Sequence, residues 1–143
     1  MPEPNVTIAV VDPEAGEPFQ RIRRELGVES FGINALTLRP GQRNRVHIHA
    51  RQEEVYLVLD GELTLVVEGD PLKLTPGHLA RVGASVRRQL TNTSARPTTI
   101  LALGAYGDHE SRDALAWTSW DEEGEGRSPA DVPLPDDLPV PDR

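Results

Sequence analysis

Residues 46–61 constrain the fold of this chain most, because they combine strand-forming residues with a tight-turn signal. The stretches 46–49 and 54–59 are rich in branched and aromatic side chains, which favour β-strands. Asp60 and Gly61 follow the second stretch, and this pair suits a two-residue hairpin whose positions need a positive φ. The segment therefore predicts consecutive antiparallel strands.

Three side chains of the same segment are of the types that bind metal ions. Successive residues of a strand point to opposite faces, so His47 and His49 share one face of the first strand. The polar stretch 50–53 turns the chain back, and if the two strands are neighbours Glu54 faces both imidazoles. Two imidazoles and one carboxylate with open positions suit non-haem Fe(II), Zn, Mn, Ni or Cu. The pattern predicts a divalent metal site without selecting the metal.

The rest of the chain adds short strands and hardly any helix. Strands are predicted at 6–11, 31–38, 63–67, 72–74, 79–82, 86–90 and 98–103, and one short helix at 17–26 with Gly27 as its stop. Many short strands separated by turns indicate an all-β sandwich or barrel. Three regions follow: an N-terminal strand and helix in 1–30, the β-barrel in 31–105 and a C-terminal extension in 106–143.

The spacing of the ligand segment resembles the first motif of the cupin superfamily. Gly41, His47, His49, Glu54 and Gly61 occupy every defining position of the pattern Gly-x5-His-x-His-x4-Glu-x6-Gly. The resemblance covers residues 31–105 and implies a double-stranded β-helix, or jelly-roll barrel, made of two antiparallel sheets. It also implies a homodimer formed by packing of sheets.

The second cupin motif is degenerate in this chain. A Pro-Gly-His tripeptide at 76–78 stands at its expected turn, and Asn92 stands at its end. Counting back from Asn92, Arg88 occupies the position of the usual fourth metal ligand, a histidine. Gly83 and Ser85 likewise replace the usual proline and glycine. The resemblance therefore implies a metal site that lacks its fourth ligand.

Arg88 leaves two alternatives open, because a guanidinium stays protonated, has only donors and cannot bind a cation. In the first, His47, His49 and Glu54 bind the metal and Arg88 holds a small anionic substrate beside it. In the second, Arg88 pairs with Glu54 and its charge repels any metal. Tyr56 shares the face of Glu54, where it either offers its hydroxyl to a substrate or serves as a core aromatic.

The remaining histidines are predicted to be solvated surface residues. His78 lies in a turn and His109 in a polar segment beyond the last barrel strand, so each is a poorer ligand than His47 or His49. Metal-free acid–base catalysis by His47 or His49, as in sugar epimerases that resemble cupins, would be favoured by a His–Asp pairing. The sequence shows no such pairing.

The resemblance implies several activities for a site of this kind. Oxygenases, isomerases and decarboxylases share the scaffold, so the fold does not select among them. Three ligands and open positions favour a dioxygenase or isomerase of a small organic acid or phenol, with Fe, Mn, Zn or Ni as the ion. The alternative function is a metal-free module that binds a sugar or small acid, with an Arg88–Glu54 ion pair in place of the metal.

Composition excludes several other classes of protein. The 143 residues contain no cysteine, which excludes disulfides and thiolate chemistry. No apolar run approaches the roughly 20 residues that span a bilayer, and the first residues lack a secretory signal, so a cytoplasmic protein without a membrane partner is predicted. The one basic cluster is Arg39, Arg43, Arg45 and Arg51. It is predicted to be a solvated rim or an anion-steering entrance, and no nucleic-acid partner is expected.

The C-terminal extension differs in composition from the barrel. Residues 113–117 predict a brief helical turn, and Trp117 and Trp120 are predicted to pack on the barrel or on a second subunit. Residues 121–143 carry eight acidic and two basic side chains, which accounts for −6 of the net charge of −8. The proline-rich stretch 128–143 is predicted to be disordered or laid across a neighbouring molecule.

Overall fold

The computed structural model describes residues 5–14, 18–105 and 113–140. Within these ranges the chain forms β1 (Phe19–Gln20), α1 (Ile22–Leu26), β2 (Phe31–Leu38), β3 (Val46–His49), β4 (Glu54–Asp60), β5 (Leu63–Val67), β6 (Asp70–Leu74), β7 (Leu79–Val82), β8 (Arg88–Thr91), β9 (Thr98–Ala105) and β10 (Ala114–Trp117), followed by a 3₁₀ turn at Pro129–Asp131. No helix in the described part of the chain is long and apolar enough to cross a membrane.

The strands form two five-stranded antiparallel sheets that share one core. One sheet has the order β1-β2-β9-β4-β7 and the other has the order β10-β3-β8-β5-β6. Inward-facing side chains of both sheets form the hydrophobic core, among them Leu36, Leu65, Leu90 and Ile100. The architecture confirms the predicted all-β jelly-roll barrel.

The chain turns after β4 where the sequence predicts it, but the predicted hairpin is wrong, because β4 and the following β5 belong to opposite sheets. β4 ends at Asp60, and Gly61 follows with a φ of +79°. A Cβ atom at position 61 would lie 2.3 Å from the carbonyl oxygen of Pro97. Both the backbone conformation and the close approach of a neighbouring chain segment therefore require glycine at this position.

The N-terminal residues 6–11 do not form the predicted strand. They belong to neither sheet of the described chain, and Val6, Ile8 and Val10 are exposed. Their alternating branched side chains favour extended backbone, but a strand also needs a hydrogen-bonding partner, and neither sheet provides one in the described chain.

The helix that follows is shorter than predicted. It begins at Ile22 because Phe19 and Gln20 pair with β2 as the edge strand β1. Gly27 ends the helix in a left-handed conformation, with a φ of +76°, as predicted. The predicted start at residue 17 lies outside the described residues.

Residues 114–117 form strand β10, and the predicted helical turn is wrong. β10 pairs with β3 in antiparallel register, so that Ala114 lies opposite His49 and Trp117 opposite Val46. The stretch is too short to hold a helix by itself, and pairing along the exposed edge of β3 satisfies its backbone groups instead.

The two tryptophans pack on the barrel of their own chain. The guanidinium of Arg87 lies 3.7 Å above the ring of Trp117, and the Trp117 indole donates to the carbonyl of Gly124 at 3.1 Å. The indole of Trp120 donates to Oε1 of Gln89 on β8 at 2.9 Å. Of the two predicted locations, the described structure therefore places both rings against their own barrel.

Residues 128–140 also lie across the barrel, in contrast to the predicted disorder or packing on a neighbour. The segment is held by the Leu138 N–H, which donates to the Gly41 carbonyl at 2.8 Å, by Arg43 Nε, which donates to the Asp136 carbonyl at 3.0 Å, and by Arg45 Nε, which donates to the Val132 carbonyl. Val132 is only 1% exposed. The arginines satisfy backbone carbonyls that the proline-rich segment cannot pair internally.

The basic cluster faces this acidic segment. In addition to the two backbone contacts, Arg39 Nη2 lies 2.9 Å from the Asp137 carboxylate. Both side chains of that pair are well exposed, so the contact contributes little free energy and mainly sets the direction of the segment. Of the four arginines predicted as a solvated rim or an anion-steering entrance, Arg39, Arg43 and Arg45 thus anchor the C-terminal segment, whereas Arg51 is exposed near Asp113.

Gly41→Ala is expected to destabilise the fold and to loosen residues 128–140. Gly41 has a φ of +81°, and a Cβ there would lie 2.3 Å from the Leu138 carbonyl oxygen. Gly69 has a φ of +85° with nothing near its missing Cβ, so Gly69→Ala carries the cost of the backbone conformation alone. In urea denaturation we expect Gly41→Ala to lose about 2 kcal/mol more than Gly69→Ala. Equal losses in the two variants would contradict the packing of Leu138 on Gly41.

Candidate metal centre

The three predicted ligands meet inside the barrel and come from opposite sheets. His47 and His49 lie on β3, and Glu54 is the first residue of β4. β3 pairs with β8 and β10, whereas β4 pairs with β7 and β9, so the expectation that the two strands are neighbours is wrong. The connection 50–53 carries the chain from one sheet to the other, and both strands turn the ligands inward. One ligand atom from each residue lies within 4.8 Å of the other two.

The two imidazoles have different neighbours at Nδ1. The Nδ1 of His47 lies 2.8 Å from the carbonyl oxygen of Arg45, which can only accept, so this nitrogen carries the proton. The Nδ1 of His49 lies 3.6 Å from a carboxylate oxygen of Asp113. The rings stand edge to face, with their centroids 5.5 Å apart. In His47 Nε2 is therefore the acceptor nitrogen, the form in which a neutral imidazole binds a metal ion, whereas the ring of His49 lies between two carboxylates, with Glu54 Oε1 3.5 Å from its Nε2.

Glu54 accepts hydrogen bonds from two buried side chains. Its Oε1 accepts from Arg88 Nη2 at 3.0 Å and from the hydroxyl of Tyr56. The same oxygen lies 3.5 Å from Nε2 of His49. Glu54 is only 6% exposed, so these contacts act in a medium of low dielectric constant.

Arg88 is fully buried beside the ligand cluster. It is the cross-strand partner of His47 on β8. Its Nε donates to the Tyr56 hydroxyl at 3.3 Å, its Nη1 to the Val86 carbonyl at 2.9 Å and its Nη2 to Glu54. The ion pair of the second alternative is therefore formed. Arg88 is not among the described residues that line the adjoining cavity, which differs from its predicted role as a direct substrate contact.

Burial and neighbouring charges set the protonation states of the cluster. Burial, followed by the charge of Arg88, lowers the pKa of His47 to about 4, so its ring is neutral at pH 7. Burial raises the pKa of Glu54, but the neighbouring His49 and Arg88 outweigh this effect and hold the pKa below its ordinary value. Burial and the charge of Glu54 raise the pKa of Tyr56 well above its ordinary value, so the phenol keeps its proton. A neutral imidazole and an ionised carboxylate are the states that metal binding requires.

The cluster borders a cavity of about 360 Å³. Apolar side chains from both sheets line it, including Phe19, Leu36, Leu90 and Ala102, and the three ligands and Tyr56 face it as well. Pro129 and Leu134 of the C-terminal segment also line this cavity, which the sequence did not predict because that segment was expected away from the barrel. The site therefore combines a polar ligand cluster with a mostly apolar space large enough for a small organic molecule.

Asp113 is a further residue of the site that the sequence did not predict. It is buried, and its contact with His49 means that the expected lack of a His–Asp pairing is wrong. Asp113 immediately precedes β10, whose first residue lies opposite His49. The apolar run at 114–117 was the available signal, since a strand there brings position 113 to the end of β3.

Of the two remaining histidines, the structure describes only His78. It is exposed in the turn before β7, where its Nδ1 accepts a hydrogen bond from the Thr75 N–H at 2.8 Å. It does not belong to the ligand cluster, as predicted. His109 lies outside the described residues.

Comparison with known proteins agrees with this architecture. A family model described as a cupin domain matches residues 35–104. A solved structure from Thermus thermophilus is 26% identical with a TM-score of 0.59, and the match covers 67% of this chain and 90% of that chain. A sugar phosphate isomerase of the cupin superfamily from Silicibacter pomeroyi is 23% identical with a TM-score of 0.58, covering 75% and 77% of the two chains.

A cupin protein from Bacteroides fragilis has 19% identity and a TM-score of 0.63, and the match covers 85% of this chain and 98% of that chain. The two likenesses below 25% identity bear on the fold alone. No match to a curated protein was found.

Proposed function

The chain belongs to the cupin superfamily, with its cupin domain at residues 35–104, and we propose that this domain binds one divalent metal ion through His47, His49 and Glu54. The ion serves a reaction on a small organic molecule held in the adjoining cavity, either an isomerisation or a dioxygenation. Fe, Mn, Zn and Ni all suit two imidazoles and a carboxylate.

One observation carries this proposal: the ligand atoms of the three residues are already gathered inside the barrel. They lie within 4.8 Å of one another, and atoms bound to one ion at about 2.1 Å are at most about 4.2 Å apart, so only a small contraction is needed. His47 is held through Nδ1 by the Arg45 carbonyl, and Nε2 of His49 lies 3.5 Å from the Glu54 carboxylate. Such anchoring of the second ring nitrogen is typical of histidines that bind metals.

When bound, a divalent ion supplies a Lewis acid that polarises a substrate oxygen. The residues of the chain supply a hydroxyl donor and apolar walls around the bound molecule. Tyr56 donates to Glu54 and faces the cavity, where it is placed to contact a substrate as well. The apolar walls hold the carbon skeleton and exclude water. Isomerisation and dioxygenation of small organic acids and phenols are the first reactions to assay.

Titration of Co²⁺ into chelator-treated protein at pH 7 tests this proposal. We expect one ion per chain, detected by calorimetry and by visible absorption bands. His49→Ala is expected to weaken binding at least tenfold, since the loss of one of three ligands costs about 1.4 kcal/mol or more. His78→Ala removes an exposed histidine outside the cluster and should bind like the wild type. A wild type that binds no Co²⁺, or an equal loss in both variants, would overturn the proposal.

A metal-free site is the second candidate, favoured by the 3.0 Å contact between Arg88 and Glu54. That pair already neutralises the carboxylate, and an added cation meets the charge of the guanidinium. In this form the cavity binds its small molecule directly, and His49, with Asp113 behind it, is the group that moves protons. A protein whose melting temperature rises with small organic ligands and not with divalent ions would favour this candidate.

A further inference from the structure

Asp113 lies outside the matched cupin domain, yet its carboxylate is buried against the candidate metal centre. The family match ends at residue 104, and Asp113 immediately precedes β10. Its side chain is 7% exposed. A buried carboxylate is costly unless hydrogen bonds and charges compensate for its lost hydration. The contacts of Asp113 therefore indicate what holds it there.

The first set of contacts is with the backbone of the connection between β3 and β4. The Oδ1 atom accepts from the Arg51 N–H at 3.0 Å, and Oδ2 lies 3.3 Å from the Gln52 N–H, which donates to it. The carbonyl of Asp113 accepts from the Ala50 N–H at 2.7 Å. One residue thus binds three consecutive amides of the connection that separates His49 from Glu54. The relative placement of these two ligands depends on it.

The second contact is with His49 itself. Asp113 Oδ2 lies 3.6 Å from Nδ1 of His49, and both side chains are at least nine-tenths buried. A carboxylate beside one ring nitrogen favours the tautomer that carries the proton on that nitrogen. Glu54 Oε1 lies at a similar distance, 3.5 Å, from the opposite nitrogen Nε2, but that oxygen already accepts from the buried Arg88. Arg51, at 3.9 Å from Asp113, is 89% exposed and compensates the charge of Asp113 far less. Asp113 therefore draws the ring proton to Nδ1, which leaves the lone pair of Nε2 on the side of Glu54.

We propose that Asp113 is a positioning residue of the metal centre, which fixes His49 in the Nδ1–H tautomer and holds the connection 50–52 in place. Asp113 is not among the described residues that line the cavity, so it acts through His49 rather than on a bound molecule. A test of this inference by metal affinity rests on the proposed function, whereas a test by the tautomer of His49 in the metal-free protein does not. Carboxylates in this position typically change metal affinity by about 10- to 100-fold.

Long-range ¹H–¹⁵N correlation spectra of the metal-free protein provide the first measurement, with signals assigned through single His→Gln variants. In the wild type both His47 and His49 are expected to carry the proton on Nδ1. In Asp113→Asn, His49 is expected to shift towards the Nε2–H tautomer, because the amide has lost the negative charge. His47 is the internal control: its Nδ1 donates to the Arg45 carbonyl, so its tautomer should not change.

The second measurement is Co²⁺ affinity. Asp113→Asn is expected to bind about 10- to 100-fold more weakly than the wild type. Asp137→Asn, which neutralises an acid of the C-terminal segment paired with Arg39, is the matched control and should bind normally. A purely structural role predicts a less stable protein whose folded form keeps the His49 tautomer and the wild-type affinity, and that result would overturn the proposal.

Failure of the proposed function is distinguishable from failure of this inference. If the wild type binds no Co²⁺, the tautomers of His49 in the wild type and in Asp113→Asn still decide the role of Asp113. If Asp113→Asn does not fold, the tautomer of His49 in the wild-type spectrum alone tests the role of Asp113. A wild-type His49 that carries its proton on Nε2 would contradict the inference in every case.

Discussion

Replacing Arg88 with methionine is expected to lower the free energy of unfolding of the metal-free protein by about 3–5 kcal/mol. Arg88 is fully buried, and its guanidinium donates to Glu54, Tyr56 and the carbonyl of Val86. Methionine fills much of the same volume but leaves Glu54 as a buried carboxylate without its cation. The uncompensated charge, rather than the lost packing, is the main cost.

Chemical denaturation with a chelator present measures this loss, and two further variants separate its causes. Arg81 and Glu53 also lie 3.0 Å apart but are 66% and 56% exposed, so Arg81→Met is expected to cost less than about 1 kcal/mol. Arg88→Met combined with Glu54→Gln removes both charges and should recover most of the stability. A single Arg88→Met variant that loses no more than Arg81→Met would contradict the ion pair.

Replacing Arg88 with histidine is expected to raise the affinity for Co²⁺ about 100-fold, or ~2.7 kcal/mol. Position 88 lies directly opposite His47 on the neighbouring strand, so a shorter imidazole there sits beside the existing ligands. The substitution adds a fourth ligand and removes a positive charge from the edge of the site. Both changes favour a bound cation.

Arg88→Met separates these two effects, because it removes the charge without adding a ligand. We expect its affinity to lie between those of the wild type and Arg88→His in competition titrations with a chromophoric chelator. An affinity of Arg88→His equal to that of Arg88→Met would mean that position 88 does not reach the ion. An affinity at or below that of the wild type would mean that the Arg88 charge does not limit metal binding.

Arg88 has opposite effects on the stability of the fold and on the affinity for metal. Arg88 stabilises the metal-free barrel by compensating Glu54, and the same charge weakens the attraction of that carboxylate for a cation. A buried ion pair of this kind makes the fold depend on Arg88 while setting the metal affinity below that of a four-ligand site. The wild-type affinity for metal is therefore expected to be moderate and to fall further in any variant that weakens His47 or His49.

Much of the barrel could be predicted because its signals are local. The alternation in 31–38 coincides with β2, and the chain turns at the Asp60–Gly61 pair as predicted, although this turn joins two sheets and not two paired strands. The alternation of His47 and His49 along β3 was sufficient to put both imidazoles on one face. Strand periodicity and turn chemistry depend on neighbouring residues only, so one sequence contains them.

The incorrect predictions concern pairing between distant segments. The sequence does not show that β3 and β4 belong to opposite sheets, since the connection 50–53 is equally compatible with a hairpin. Asp113 reaches His49 only because β10 pairs with β3. The segment 128–140 lacks the apolar content to fold alone, yet arginines from the barrel bind its carbonyls. Each of these contacts joins residues that are far apart in sequence or in different sheets, where local propensity gives no information.

An anomalous-difference map from crystals of Co²⁺-loaded protein, collected at the cobalt edge, would locate the ion. We predict one peak per chain among the Nε2 atoms of His47 and His49 and the carboxylate of Glu54, absent from crystals of His49→Ala prepared in the same way. A map without a peak inside the barrel, or with a peak only at the exposed His78, would contradict the proposed metal centre.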